Sequence, residues 1–124
     1  MSAPPRRTVS SGSRWEPLAG YARAVRVGSA VFVSGTVGDG ADAYAQAVAA
    51  LATIERALVE AGAALGDVVR TRIFVTDIRR DWEAVARAHR EVFATIRPAT
   101  SMLEIAGLID PKYVVEIEAD AVVS

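Results

Sequence analysis

The sequence predicts an α+β fold, with a mixed sheet and two helices packed on one face of it. Short runs of alternating apolar and polar residues indicate strands, and two longer segments carry apolar residues at helical spacing. These segments follow one another in the order ββαβαββ, which is typical of this class. Because such a sheet is covered on one face only, we also expect the chain to associate with copies of itself.

The N-terminal segment differs in composition from the rest of the chain. Residues 1–13 read MSAPPRRTVSSGS, in which proline, serine and glycine dominate. Such a composition is typical of a flexible tail. The remaining length suits one domain, so we expect a tail over residues 1–13 and a single domain over residues 14–124.

The first two strands form a predicted hairpin. Residues 21–27 alternate in polarity, Gly28-Ser29 supplies a turn, and a second apolar run follows over residues 30–34. Three glycines then mark a loop, namely Gly35, Gly38 and Gly40. Their spacing fits neither a dinucleotide-binding fingerprint nor a phosphate-binding loop.

Two amphipathic helices are predicted, with Asp42 capping the first and Asp81 the second. Gly62 or Gly66 ends the first helix, and Arg97-Pro98 ends the second. The apolar stripe of the first consists of Val48, Leu51, Ile54, Leu58 and Ala61. The stripe of the second consists of Trp82, Val85, His89, Val92 and Phe93.

Three further strands complete the predicted sheet. In residues 67–77, Val69, Thr71, Ile73 and Val75 share one face. The last two strands cover residues 101–105 and 114–123, with Asp110-Pro111 in the turn between them.

The composition excludes several kinds of function. The net charge is −1, with 14 basic and 15 acidic residues and no basic stripe, so we expect no nucleic-acid partner. The chain has no cysteine and one histidine, which excludes thiol chemistry, thiolate metal sites and a histidine-rich zinc site. We expect His89 to be a packing or interface residue. No apolar run is long enough to cross a membrane and no signal peptide is visible, so we expect a cytoplasmic protein.

Three segments together resemble the RidA/YjgF (reactive intermediate/imine deaminase) family. They read GYARAVRVGSAVFVSG at 20–35, GDVVRTRIFVTDI at 66–78 and RPATSMLEIAGLIDPKYVVEIEADAV at 97–122. The likeness covers most of residues 20–122. It implies a chorismate-mutase-like α+β fold and a homotrimer that binds a small molecule in clefts between adjacent subunits, with no metal or organic cofactor.

The resemblance also implies roles for particular residues. The glutamate that opens the Glu-Ile-Glu-Ala string, here Glu116, positions a water molecule, and Tyr21 lines the cleft. The pair Ser34-Gly35 lies nearby. In members that deaminate, an arginine follows Pro-Ala and binds the substrate carboxylate, but this chain has Thr100 at that position. We include Met102, two residues further along, among the candidates for substrate binding.

The threonine changes the expected specificity. A guanidinium holds a carboxylate through two parallel charge-assisted bonds, whereas a hydroxyl offers one neutral donor. Imines of 2-amino acids should therefore bind poorly unless another cation replaces the arginine. Arg23 is the candidate, because it lies two residues from Tyr21 and hence on the same strand face. The alternative is that Arg23 is a solvated or interface residue.

Two functions remain open at this point. The first is hydrolysis of a reactive imine or enamine, with Glu116 positioning or deprotonating water, Tyr21 orienting the substrate, and Arg23 or Thr100 selecting it. The alternative is a non-catalytic protein that binds a small metabolite in the same cleft, which Thr100 favours. The resemblance also raises ribonuclease-like and chaperone-like roles. We expect Glu118 to be structural, paired with Arg70 or Arg72.

Overall fold

The computed structural model describes residues 5–124 as a six-stranded mixed sheet with helices on one face. The strands are β1 (Arg6–Val9), β2 (Ala24–Val27), β3 (Ala30–Thr36), β4 (Val68–Val75), β5 (Ala99–Glu104) and β6 (Val115–Val122). The helices are α1 (Trp15–Ala19), α2 (Ala43–Glu60) and α3 (Ile78–Phe93), and a 3₁₀ turn covers Leu65–Asp67. From β2 to β6 the order is ββαβαββ, so the predicted α+β class and element order are confirmed.

The sheet runs in the order β1-β2-β3-β6-β4-β5. Every neighbouring pair is antiparallel except β4 and β5, which are parallel because α3 connects them. Val27 pairs with Ala30, so the predicted two-residue hairpin turn is confirmed. Gly28 has φ of 59°, a left-handed conformation that glycine adopts at little cost.

The core lies between the sheet and the two long helices. Strand β6 shows the alternation clearly, because its residues 115, 117, 119 and 121 are buried while 116, 118 and 120 are partly exposed on the other face. Ile54 and Leu58 of α2 are fully buried against this side of the sheet. None of the helices within residues 5–124 is long and apolar enough to cross a membrane.

The predicted flexible tail is wrong for residues 6–9. These residues form β1, which pairs with β2 from Arg6↔Val27 to Val9↔Ala24. Arg7 Nη2 donates to the carbonyl of Glu60 at 2.8 Å, at the end of α2 where carbonyls lack helical partners. The edge of β2 and the end of α2 thus supply partners that the composition did not reveal. The part of the tail prediction that concerns residues 1–4 lies outside the described residues.

The start of α3 also differs from the prediction. Asp77, not Asp81, is the N-cap, and its side chain accepts a hydrogen bond from the backbone N–H of Arg80 at 3.1 Å. Asp81 lies inside the helix and forms an ion pair with Arg80 at 2.8 Å. Both aspartates are acceptable caps by residue type, and the earlier one follows directly on the end of β4.

Three apolar residues assigned to buried faces are exposed, namely Val48 (43%), Val69 (47%) and Trp82 (48%). In α2, Ala47 occupies the buried position beside Val48. In β4, the register with β6 shifts between Val68 and Arg70, so Val68 turns inward and Val69 outward. A bulge of this kind breaks the two-residue alternation on which the prediction depended.

Candidate functional site

A groove of about 940 Å³ opens where the N-terminal segment meets the end of β3. Residues 9–15 form one wall, and Tyr21 and Arg23 lie beside them. Gly35 and Glu116 contribute from β3 and β6. Four of the sequence-predicted site residues therefore lie together, namely Tyr21, Arg23, Gly35 and Glu116.

A β-bulge shapes the floor of this groove. Val33 pairs with Ala119 and Thr36 pairs with Ile117, so Ser34 and Gly35 both lie opposite Glu118. Such bulges bend a strand and change the direction of nearby side chains. The Ser34 hydroxyl donates to the carbonyl of Ala22 at 2.7 Å and does not line the groove.

Gly35 leaves room for the carboxyl group of Glu116. A Cβ atom on Gly35 would lie 2.8 Å from Cδ of Glu116 and 3.0 Å from each of its oxygens. These separations are shorter than ordinary van der Waals contacts, which begin near ~3.5 Å between carbon atoms. The absence of a side chain at residue 35 therefore fixes where the Glu116 carboxyl group lies.

The environment of Glu116 makes it a stronger base. Burial raises the pKa of its carboxyl group above 4.5, the nearby negative charge of Glu118 raises it further, and the positive charge of Arg23 opposes both. A carboxylate with a raised pKa takes a proton more readily. Glu116 thus combines a raised pKa with a place in the groove lining.

Arg23 is 5% exposed, and its guanidinium is held by four neighbours. Nη1 donates to the carbonyl of Gly35 at 2.6 Å and to Oγ1 of Thr36 at 3.0 Å. Nε donates to Oγ of Ser11 at 3.2 Å, and Nη2 donates to the Tyr21 hydroxyl at 3.4 Å. The guanidinium carbon also lies 5.5 Å from the centre of the Tyr21 ring. Arg23 therefore ties the N-terminal wall of the groove to the bulge.

Glu16 is a site residue that the sequence reasoning missed. It is 5% exposed, and its Oε2 lies 3.9 Å from Nε of Arg23. The same oxygen accepts hydrogen bonds from the hydroxyl and the backbone N–H of Ser11, at 2.6 and 3.1 Å. Burial raises the pKa of Glu16, but the bonds from Ser11 and Ser10 and the charge of Arg23 outweigh burial, so the net shift is downward. Glu16 does not line the groove itself and lies inside the expected domain, where no pattern in the sequence connects it with Arg23.

Thr100 lies away from the groove. Its Oγ1 is 2.7 Å from Oγ1 of the fully buried Thr71, which in turn lies 2.8 Å from Nε2 of His89. Thr100 also donates to the carbonyl of Pro98 at 3.2 Å. Burial lowers the pKa of His89, whose ring packs 4.6 Å from that of Phe93. These groups form a hydrogen-bonded chain between β4, β5 and α3.

Of two other predicted residues, Met102 lies outside the groove and Glu118 lines it. Met102 borders a separate, shallow depression with Ile78 and Trp82, at the N-terminal end of α3. Glu118 lines the groove, but its Oε1 accepts a hydrogen bond from Nη1 of Arg72 at 3.2 Å. Of the two arginines proposed as partners of Glu118, Arg72 is therefore the one in contact.

Comparison with known proteins identifies the family of the chain. The model of a family described as Endoribonuclease L-PSP matches residues 11–123. A crystal structure of Rv2704 from Mycobacterium tuberculosis, a member of the YjgF/YER057c/UK114 family, superposes with a TM-score of 0.94 at 56% identity. The match covers 96% of this chain and 100% of that one.

Curated relatives agree with this match. An uncharacterized protein of Streptomyces coelicolor is 41% identical over 123 residues, covering 93% of this chain and 90% of the relative. A 2-iminobutanoate/2-iminopropanoate deaminase of Dermatophagoides farinae is 32% identical over 128 residues, covering 96% and 98%. The chain belongs to the RidA/YjgF family, to which the Endoribonuclease L-PSP model refers, so the resemblance inferred from the sequence is confirmed.

Proposed function

We propose that this protein hydrolyses reactive imines or enamines, with Glu116 as the base that activates water. The observation that carries the proposal is the carboxyl group of Glu116, half-buried in a groove, beside Gly35 and with a raised pKa. A relative named as a 2-iminobutanoate/2-iminopropanoate deaminase supports the reaction class.

The reaction begins with a protonated imine, R₂C=NH₂⁺. Glu116 removes a proton from water as the oxygen bonds to the imine carbon, and the C=N electron pair moves to nitrogen. The product is a neutral carbinolamine beside a protonated Glu116. The carboxylic acid then returns its proton to nitrogen, and the C–N bond breaks as the oxygen lone pair forms the carbonyl. The hydroxyl proton passes to the Glu116 carboxylate and from there to the departing ammonia, which leaves as ammonium. Water and iminium are thus converted to a carbonyl compound and ammonium.

Tyr21 supplies orientation in this scheme. Its hydroxyl accepts a hydrogen bond from Nη2 of Arg23 and faces the same groove as Glu116. A hydroxyl held in this way keeps its own proton available for donation to a substrate. Positioning of the substrate against water is a large part of what such a site contributes to rate.

Assembly is the next part of the proposal. We propose a homotrimer with the grooves at subunit boundaries, as the family resemblance implies. The face of the sheet opposite α2 and α3 supports this proposal, since Phe32 is 50% and Val122 is 49% exposed. Sedimentation equilibrium tests it, and a monomer at micromolar concentration would contradict it.

A non-catalytic, metabolite-binding function is the second candidate, and Thr100 favours it. The hydroxyl of Thr100 is engaged by Thr71 and Pro98 and offers no positive charge to a carboxylate. A ribonuclease function is disfavoured by the carboxylates of Glu116 and Glu118 in the groove, since RNA is a polyanion.

Ammonia release from freshly generated 2-aminoacrylate tests the catalytic proposal. We expect release above the spontaneous rate in the wild type and loss of the excess in Glu116→Ala. Glu83→Ala is the control, because it removes an exposed carboxylate of α3 that does not line the groove and should retain activity.

Two results would refute the catalytic proposal. One is a Glu116→Ala variant as active as the wild type. The other is a wild type that accelerates ammonia release neither from 2-aminoacrylate nor from an imine without a carboxylate. The second result, together with saturable binding of a small metabolite, would favour the binding protein.

A further inference from the structure

Arg23, which lines the groove, forms a buried ion pair with Glu16, which does not line it; each partner is 5% exposed. Oε2 of Glu16 and Nε of Arg23 are 3.9 Å apart, and Ser11 bridges them by hydrogen bonds. At this burial the two charges are screened little by solvent. Glu16 therefore offsets part of the positive charge that Arg23 would otherwise present to the groove.

The geometry of Arg23 also leaves no bidentate clamp for an anion. A carboxylate binds a guanidinium most strongly through two parallel N–H groups. Nε donates to Ser11, Nη1 donates to both Gly35 and Thr36, and Nη2 already contacts Tyr21. One N–H of Nη2 thus remains for a ligand. No pair of parallel N–H groups is free, because at least one member of each pair donates within the protein.

Apart from Arg23, the partly buried charges of the groove lining are negative. Glu116 and Glu118 both line it, and the single guanidinium of Arg72 is shared between Glu118 and Asp120, at 3.2 and 3.3 Å. The other basic residues of the lining, Arg14 and Arg56, are exposed at the rim, where solvent screens them. A substrate that carries a carboxylate would therefore meet like charge at the position where the water is activated.

We propose that Glu16 is a specificity-determining residue that neutralises Arg23, so that the groove accepts imines without a carboxylate group. This inference rests on the proposed function and names its substrate class, a neutral or protonated imine of a simple amine. Glu16 itself touches no reacting atom and acts through Arg23. The negative potential of the groove favours the iminium form, which is also the form that water attacks.

Two imines that differ only in a carboxylate test the inference. Flavin-dependent oxidation of 2-aminobutanoate generates 2-iminobutanoate, and that of propylamine generates propan-1-imine. Ammonia release is measured for both, after subtraction of the spontaneous rate. We expect the wild type to prefer propan-1-imine in kcat/KM by on the order of tenfold, equivalent to like-charge repulsion of about 1.4 kcal/mol.

Glu16→Gln is the decisive variant, because glutamine keeps an oxygen that accepts from Ser11 while it removes the charge. We expect the preference to move by on the order of tenfold toward 2-iminobutanoate, mainly through KM. Glu83→Gln, at an exposed position of α3, makes the same change in net charge and should leave the ratio unchanged. If Glu16→Gln fails to fold, the double variant Glu16→Gln/Arg23→Gln removes both charges and should keep the preference of the wild type.

Equilibrium binding separates failure of this inference from failure of the proposed function. Calorimetric titration with butanamide and with butanoate requires no catalysis, and we expect the wild type to bind the amide more tightly and Glu16→Gln to narrow the difference. A wild type that prefers 2-iminobutanoate or butanoate, or a Glu16→Gln variant with unaltered ratios, would overturn the inference. If neither imine is hydrolysed faster than its spontaneous rate but the wild type binds butanamide more tightly than butanoate, the inference about charge stands and the catalytic proposal fails.

Discussion

Replacement of Gly35 by alanine should separate catalysis from stability. The new Cβ would lie 2.8 Å from Cδ of Glu116, whereas carbon atoms in contact normally lie about 3.5–4.0 Å apart. The carboxyl group must therefore move by roughly 0.7–1.2 Å, the difference between these separations. A displacement of about 1 Å in a catalytic group costs on the order of 100-fold in rate. Because the moving atoms are the end of a flexible side chain, we expect little change in the free energy of unfolding.

The assay for Gly35→Ala pairs ammonia release with thermal unfolding. Gly66→Ala is the control, because a Cβ at that position would meet no atom within 4 Å and its backbone has no positive φ. We expect Gly66→Ala to match the wild type in both measurements, and Gly35→Ala to match it only in Tm. If Gly35→Ala keeps full activity with an unchanged Tm, then the position of the Glu116 carboxyl group does not determine the rate, and the reasoning about the bulge is wrong.

Three further predictions concern stability. The pKa of Glu116 is higher in the native state than in the unfolded chain, so ionisation of this carboxyl group lowers the free energy of unfolding as the pH rises above 4.5. Glu116→Gln should therefore raise Tm at pH 7–8 but not below pH 4.5. Burial lowers the pKa of His89 below 6.5, so the imidazole takes up a proton at higher pH in the unfolded chain than in the native state. The wild type should therefore lose stability as the pH falls below 6.5, and His89→Gln should lose less. Arg26 Nη1 donates to the carbonyls of Ala61 and Gly62 after α2, so Arg26→Ala should cost about 1 kcal/mol in urea unfolding, against no change for the exposed Arg90→Ala.

The regular parts of the fold could be predicted because local pattern and tertiary packing agree there. Residues 115–122 alternate between buried and exposed, as their sequence does, and the hairpin turn at Gly28 follows from a glycine with positive φ. Strand β1 could not be predicted, because residues 6–9 are held in a strand by partners that are distant in the sequence. Pairing with β2 and the bond from Arg7 to the end of α2 are contacts across 15 to 53 residues that composition does not encode.

The candidate site was predictable only in part. Tyr21 and Arg23 both line the groove, but they precede β2 and do not lie on the strand that the prediction assumed. Glu116 was supplied by the resemblance. The hydrogen bonds that engage Arg23 depend on Ser11 and Gly35, one in the supposed tail and one in a bulge. Neither segment has a regular alternation of apolar and polar residues, so the sequence did not show which groups accept hydrogen bonds from the Arg23 guanidinium.

The groove depends on the N-terminal segment more than on any single strand. Glu16 binds Ser11 and lies beside Arg23, Arg23 donates to the carbonyl of Gly35, and Gly35 determines where the carboxyl group of Glu116 fits. Each step in this series is short and involves a buried or partly buried group, so a displacement at one end is transmitted to the other rather than absorbed by solvent. Substitutions in residues 9–16 should consequently alter the environment of Glu116, although these residues precede it by a hundred positions in the chain.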